Sequence, residues 1–301
     1  MRFAARAGLF LKGMAIGIAD SVPGVSGGTI AVISGIYEQL LSALRRCNPM
    51  ALRTLYQQGP KVFWQSIDGS FLLTLVLGIL TSLVLMANTV LYLLANHFVL
   101  VMAFFMGLVL ASCVLLYREI GALTLVKAIL FVAGFAITVV TAVTNPAAGS
   151  TSLWYVFFCG AIAICAMILP GISGAFILIL LGVYQYVLDA LRSLQMDIIV
   201  VFALGCIIGL LSFAHLLTMM FFYYRQQTYA FLVGMLAAST VVLWPWRLSA
   251  EPGGGLGMMP WAYAEITGNA AQLPLVLVCA GVGFGVIMAF AAVVSRVSRD
   301  I

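Results

Sequence analysis

The sequence predicts an all-α polytopic membrane protein made of two inverted repeats, each a re-entrant helical hairpin followed by three transmembrane helices. Three observations carry that prediction: the composition, a duplicated Pro-Gly motif, and the distribution of Lys and Arg. Of 301 residues, 64% are hydrophobic and 8% charged, against roughly 45–50% and about 25% in soluble domains. With a mean hydropathy of +1.18, the chain has too little polar surface to coat a globule, whereas about 20 apolar residues make one bilayer span. A soluble protein is excluded. The net charge of +5 comes from 14 Lys and Arg against 9 Asp and Glu. The basic residues sit at segment ends without forming a run, so nucleic acid is excluded as a partner and the charges report topology.

The N-terminus carries Arg2, Arg6 and Lys12, but the apolar stretch after them is short and interrupted, so it reads as mature protein rather than a signal peptide. Six apolar segments read as full spans: about Phe71 to Ala95, Phe98 to Tyr117, Leu123 to Val143, Ile198 to Phe222, Tyr229 to Trp244, and Leu273 to Val294. Trp64, Trp154, Tyr223, Tyr224, Trp244 and Trp246 lie at segment ends, as interfacial anchors do. Five of the six cysteines lie in apolar runs with no ligand spacing, so they read as buried free thiols. His97 and His215 read as satisfied structural histidines.

Two further apolar stretches are each cut by Pro-Gly, at Pro23-Gly24-Val25-Ser26-Gly27-Gly28 and at Pro170-Gly171-Ile172-Ser173-Gly174-Ala175. Laid over one another at an offset of 147, they match in Pro, Gly, Ser and Gly; Gly35 then meets Gly182, Tyr37 meets Tyr184, and Ala43-Leu44-Arg45 meets Ala190-Leu191-Arg192. The chain therefore divides into repeats at roughly 1–149 and 150–301, with hairpins at about 9–45 and 153–192. The first repeat carries an extra loop, Cys47 to Ser66, whose Met50, Leu55, Tyr56, Phe63 and Trp64 suggest an interfacial segment.

Counting Lys and Arg on each side decides whether the broken elements cross the bilayer. If both turn back, twelve basic residues are cytoplasmic and two, Arg192 and Arg247, lie outside; if both cross, the better split is eight to six. The positive-inside rule prefers the re-entrant arrangement, with both termini cytoplasmic. Three spans per repeat is an odd number, so the second repeat enters upside down, which is a transporter architecture. The two tips then approach the midplane.

Non-helical backbone at that depth is tolerated where protein or a water-filled cavity satisfies it. Gly24, Gly27 and Gly28 permit close approach, Pro23 ends one half-helix, and Ser21, Ser26 or Thr29 can supply hydroxyls; Pro170, Gly171, Ser173 and Gly174 repeat the arrangement. The free N–H groups of the outgoing half-helix favour an anion such as phosphate. The competing reading is a kinked span with tightly packed glycines.

The repeats differ in charge, with Asp20 and Glu38 standing where the second has Met167 and Gln185. Intramembrane carboxylates point to ion or proton coupling; a structural ion pair or a cap is the alternative. With Tyr37, Tyr184 and Gln185 these form a coupling or gating set. Counted along a continuous outgoing half-helix at about 1.5 Å per residue, Glu38 lies about 15 Å from its tip, and Arg45 and Arg192 about 24 Å from theirs, at opposite surfaces where they can catch headgroups or anchor the interface.

The run Gly17-Ile18-Ala19-Asp20-Ser21-Val22-Pro23-Gly24-Val25-Ser26-Gly27-Gly28-Thr29-Ile30, with Gly35-Ile36-Tyr37-Glu38 and later Leu169-Pro170-Gly171-Ile172-Ser173-Gly174, resembles the bacterial PopT family of polyprenyl-phosphate translocases over nearly the whole chain. The resemblance implies flipping of undecaprenyl phosphate, the lipid carrier of cell-wall synthesis, from the outer to the inner leaflet of the cytoplasmic membrane. It implies a polyprenyl phosphate lipid as partner; no cofactor is expected, and coupling to a proton or sodium gradient is the reading of the two carboxylates. The tip is also similar to the P-G-x-S-R-S loop of the BacA-type undecaprenyl pyrophosphate phosphatases. Here Gly27 and Gly174 stand in place of its arginine, and no E-x-x-x-E pair is present, so hydrolysis lacks its main electrostatic and proton-transfer groups. A small-anion or ion transporter is a third reading of the same tips.

Overall fold

The computed structural model describes residues 3–20, 26–144, 149–247 and 257–297. Among the described residues the chain is helical, in the order α1 Phe3–Asp20, α2 Gly27–Ile33, α3 Tyr37–Arg46, α4 Pro49–Gln58, α5 Pro60–Ser66, α6 Gly69–Ile120, α7 Leu125–Val143, α8 Leu153–Ile168, α9 Gly174–Leu180, α10 Tyr184–Arg192, α11 Met196–Tyr223, α12 Arg225–Val242, α13 Pro260–Thr267 and α14 Leu273–Val297. The helices fall into two compact units. One holds α1 to α5, α6 up to Ala87, and α8 to α11; the other holds α6 from Asn88, α7, α12 from Gln226, α13 and α14. Each unit draws on both sequence repeats.

In the first unit α8 and α11 pack backbone to backbone. A Cβ at Gly160 would meet the Phe202 carbonyl at 2.7 Å, one at Gly209 the Ala161 carbonyl at 2.6 Å, and one at Gly205 the Phe157 carbonyl. Small residues spaced four apart let helices approach without a hydrophobic driving force, as lipid-embedded pairs require. Gly13 and Gly17 of α1 sit against α6 at Leu75 and Ile79 in the same way. In the second unit Gly134 and Gly234 seat α7 on α12, and Gly107 and Gly283 seat α6 on α14.

Three helices among the described residues are long and apolar enough to cross a membrane, Tyr92–Ile120, Leu125–Val143 and Met196–Tyr223; counting each of two bent pairs as one span gives up to five. These three match the predicted spans at 98–117, 123–143 and 198–222. The remaining predicted spans fall in α6, α12 and α14. The segment predicted at 71–95 is continuous with the next span in α6, interrupted only by a kink at His97 (φ −135°, ψ 34°), and its start is bent by 72° against α5. The segment predicted at 229–244 is α12, which opens on Arg225-Gln226-Gln227 and buries Tyr229, Leu232, Val233, Met235 and Leu236. Its apolar residues face protein, so it lies buried within its unit. α14, Leu273–Val297, contains the segment predicted at 273–294.

Other sequence expectations are also corrected. Trp246 is 3% exposed, packed with Ala103 and Val276 and donating its indole N–H to the Ala271 carbonyl at 2.9 Å, so it is a core residue and not an interfacial anchor. His97 and His215 are exposed rather than buried among satisfied partners. The extra loop of the first repeat folds as α4 and α5, which leave Met50, Tyr56 and Trp64 exposed, the distribution an interface-lying segment needs. All six cysteines are free thiols; Cys159 is buried and the rest are partly so.

Candidate functional site

The two Pro-Gly motifs build matching local structures. Ser26 N-caps α2 and Ser173 N-caps α9, both with extended backbone (φ −117°, ψ 135° and φ −93°, ψ 130°), and each helix runs seven residues. Each then stops at a left-handed glycine, Gly35 (φ 70°) and Gly182 (φ 69°), before α3 and α10 begin. A side chain would be strained at that angle, so glycine at these two positions sets the break. The outgoing arm is therefore not one continuous half-helix. In the second motif its two pieces are bent by 108°, and the straight-rise placement of Glu38, Arg45 and Arg192 fails for this reason.

The structure brings the two motifs into contact. The Ser26 hydroxyl donates to the Leu169 carbonyl at 3.1 Å, with the Met167 carbonyl at 3.4 Å, and accepts from the Gly28 N–H at 3.2 Å. The Gly171 N–H donates to Thr29 Oγ1 at 3.2 Å. Gly28 has no room for a side chain, since a Cβ there would meet the Ile168 carbonyl. Ser26, Gly27, Thr29, Pro170, Gly171 and Gly174 are buried, and Ser173 is partly exposed. Ser21, Pro23 and Gly24 lie outside the described residues.

Despite that match the tips differ in how their amide hydrogens are used. Asp20 Oδ1 accepts from the Gly27 N–H at 2.6 Å, Ser26 Oγ takes the Gly28 N–H, and the Ser26 carbonyl takes the Thr29 N–H at 2.9 Å. The first turn of α2 is thus filled by its own chain, with a carboxylate where an anion would sit. At the second tip Met167 replaces Asp20, Ser173 makes no side-chain cap bond, and the Gly174 and Ala175 N–H groups have no partner among the described residues. Lys12 closes the far end of α2, donating to the Ser34 carbonyl at 2.8 Å. There a cation faces the negative end of the helix.

The other predicted residues are dispersed. Glu38 pairs with Arg225 at 2.9 Å, and Tyr37 is buried edge-on against Phe221 at 5.9 Å. Tyr184 and exposed Gln185 open α10. Arg45 is exposed at the end of α3. Arg192 makes a 3.7 Å contact with Asp189, both largely in solvent, a geometry worth little. Sequence reasoning treated Lys12, Lys127 and Arg225 as topology markers alone. Lys127 is 5% exposed and donates to the carbonyls of Ile120 and Ala122 and to Gln226 Oε1 at 2.8, 2.7 and 2.6 Å. For Lys127 and Arg225 the available signal was a place beside a helix end, where unpaired carbonyls collect; Lys12 lies in the middle of α1 and carried none. No group of three His, Cys, Asp or Glu able to hold a metal ion occurs among the described residues.

The family profile described as VCA0040-like, undecaprenyl phosphate translocase-like, matches residues 16–252. A polyprenyl-phosphate transporter of Vibrio cholerae is 42% identical over 238 residues, covering 79% of this chain and 77% of its own. A polyprenyl-phosphate transporter of Staphylococcus aureus is 30% identical over 264 residues, covering 78% and 85%. No solved structure matches.

Proposed function

The chain belongs to the undecaprenyl phosphate translocase-like family, and from that premise we propose that it is a flippase for undecaprenyl phosphate. It carries the lipid from the outer to the inner leaflet of the bacterial cytoplasmic membrane, returning the carrier to cell-wall synthesis. Two inverted repeats, 1–149 and 150–301, place one hairpin dipping from the cytoplasm and the other from outside, with both termini cytoplasmic; the 12 to 2 charge split supports this orientation. It is a transporter and not an enzyme, in keeping with the names of its relatives.

The observation that carries the reading is the joined pair of tips, one closed by Asp20 and Ser26 and the other open. A phosphate at membrane depth needs donors to replace its water. The open N–H groups of Gly174 and Ala175 with the Ser173 hydroxyl supply them at once; those of Gly27 and Gly28 do so when Asp20 and Ser26 let go. The isoprenoid tail stays in lipid. Asp20 couples transport to a proton or sodium gradient, because a neutralised carboxylate holds the Gly27 N–H less well than an ionised one. The test is reconstitution in liposomes with leaflet-resolved detection of undecaprenyl phosphate. Transbilayer movement no faster than in protein-free vesicles would refute the reading.

A further inference from the structure

Within the first unit, a cleft of about 370 Å³ opens between α3 and α11, lined by Glu38, Ser42, Thr218, Phe221, Phe222 and Arg225. Glu38 and Ser42 share one face of α3 as an i,i+4 pair. Its floor is fixed by the buried Tyr37 ring against Phe221. The charged pair at its mouth is open to solvent, with side chains 41% and 56% exposed, so it adds little to stability. The Ser42 hydroxyl has no hydrogen-bond partner among the described residues. The Thr218 O–H is already given to the Ala214 carbonyl at 2.7 Å and contributes shape rather than a donor. Beside the cleft the chain exposes Phe222, Tyr223 and Tyr224, at 80%, 67% and 60%.

A guanidinium, an unengaged hydroxyl and an adjoining aromatic surface suit a ligand with a phosphomonoester head and an apolar tail. The guanidinium fork binds phosphate oxygens in pairs, and a phosphate carries more charge and more acceptors than the carboxylate now occupying it. Resting on the translocase reading above, we propose that this cleft is the headgroup-exchange site on the side of the membrane where α11 ends. Arg225 takes the lipid phosphate with help from Ser42, and Glu38 is the resident competitor. Arrival of phosphate displaces Glu38 into solvent, and re-formation of the Glu38–Arg225 pair expels the phosphate, which keeps a strong anion site from becoming a trap. Arg225 binds; Glu38 releases.

The experiment measures binding of undecaprenyl phosphate, undecaprenol and inorganic phosphate to purified protein, with translocation and thermal stability followed in parallel. Arg225→Gln should weaken undecaprenyl phosphate binding at least about tenfold, as expected for a lost charged hydrogen bond, and leave undecaprenol unchanged. Ser42→Ala should weaken it less. Glu38→Gln should bind the phosphate lipid as tightly as wild type or more tightly, yet translocate it more slowly. Equal losses of affinity and stability in Arg225→Gln and Glu38→Gln would make the pair a structural tie and overturn the proposal. Wild-type affinity in Arg225→Gln would overturn it too, while continued preference for the phosphate lipid over the alcohol would leave the translocase reading standing. Inorganic phosphate competing as strongly as the lipid would overturn the lipid assignment. No preference by wild type for phosphate over alcohol would remove the translocase reading together with the cleft.

Discussion

Ser26 and Ser173 occupy equivalent positions in the two motifs, yet replacing each with Ala should have different consequences. Ser26→Ala removes the side-chain cap from the Gly28 N–H and the link to the Leu169 carbonyl. A lost N-cap costs about 1 kcal/mol, within a range of about 0.5–2. An inter-segment hydrogen bond inside a membrane protein contributes about 0.6 kcal/mol on average and up to about 1.7. The sum is about 2 kcal/mol of lost stability, with the buried serine (2% exposed) leaving no route for water to replace it. Ser173 makes no such cap, so Ser173→Ala should stay within about 0.5 kcal/mol of wild type, and its effect should fall on affinity for undecaprenyl phosphate, by about 1–3 kcal/mol. Equilibrium unfolding in mixed micelles with increasing SDS measures the first quantity and lipid binding the second. Equal destabilisation by the two substitutions would refute the claim that one tip is closed on itself and the other open.

Asp20→Asn should keep the fold, since the amide oxygen can still accept from the Gly27 N–H, but should slow translocation and flatten its dependence on pH and sodium; unchanged profiles in reconstituted vesicles would make Asp20 a structural cap. Gly27→Val and Gly174→Val should each abolish lipid binding, because the added carbons meet the Asp20 carboxylate at 2.5 Å and the Ala163 carbonyl at 2.7 Å; retained binding in both would show that the tips can yield. Lys127→Met should destabilise by about 2 kcal/mol, chiefly by leaving the buried Ile120 carbonyl without its donor, while the Ala122 carbonyl lies at an exposed residue that water can reach, and chemical unfolding checks it. Burial pushes the Cys47 thiol up from its ordinary range, so less thiolate is present at neutral pH. Maleimide should label Cys47 more slowly than a cysteine placed at exposed Asn48, and the gap should narrow as pH rises.

Some of this structure is written in local chemistry. The apolar runs at 125–143 and 196–223 are legible because a bilayer of fixed thickness demands a fixed length of apolar chain. The breaks at Pro23 and Pro170 announce themselves because proline removes a donor, and Gly35 and Gly182 mark the second break because only glycine turns left-handed there without strain. The pairing of the two motifs at an offset of 147 needed nothing beyond the letters.

What the sequence by itself determined is therefore the membrane environment, the places where helices stop, and the chemical asymmetry of Asp20 and Glu38 against Met167 and Gln185. The tertiary structure alone decided the partners. Arg225 is 187 positions from Glu38, and Leu169 is 143 from Ser26; no local pattern links them. It also decided which apolar helices face protein. In water a buried face is apolar and an exposed one polar, so periodicity reveals packing; in lipid both faces are apolar and that contrast vanishes. For this reason the letters did not show that α12 is buried or that Trp246 is a core residue and not an anchor, and folding decided both. Lys127 looked like a topology signal because it stands in the first turn of α7, where a cation gains nothing from the dipole of its own helix, and only the packed structure turned it onto the carbonyls at the end of α6.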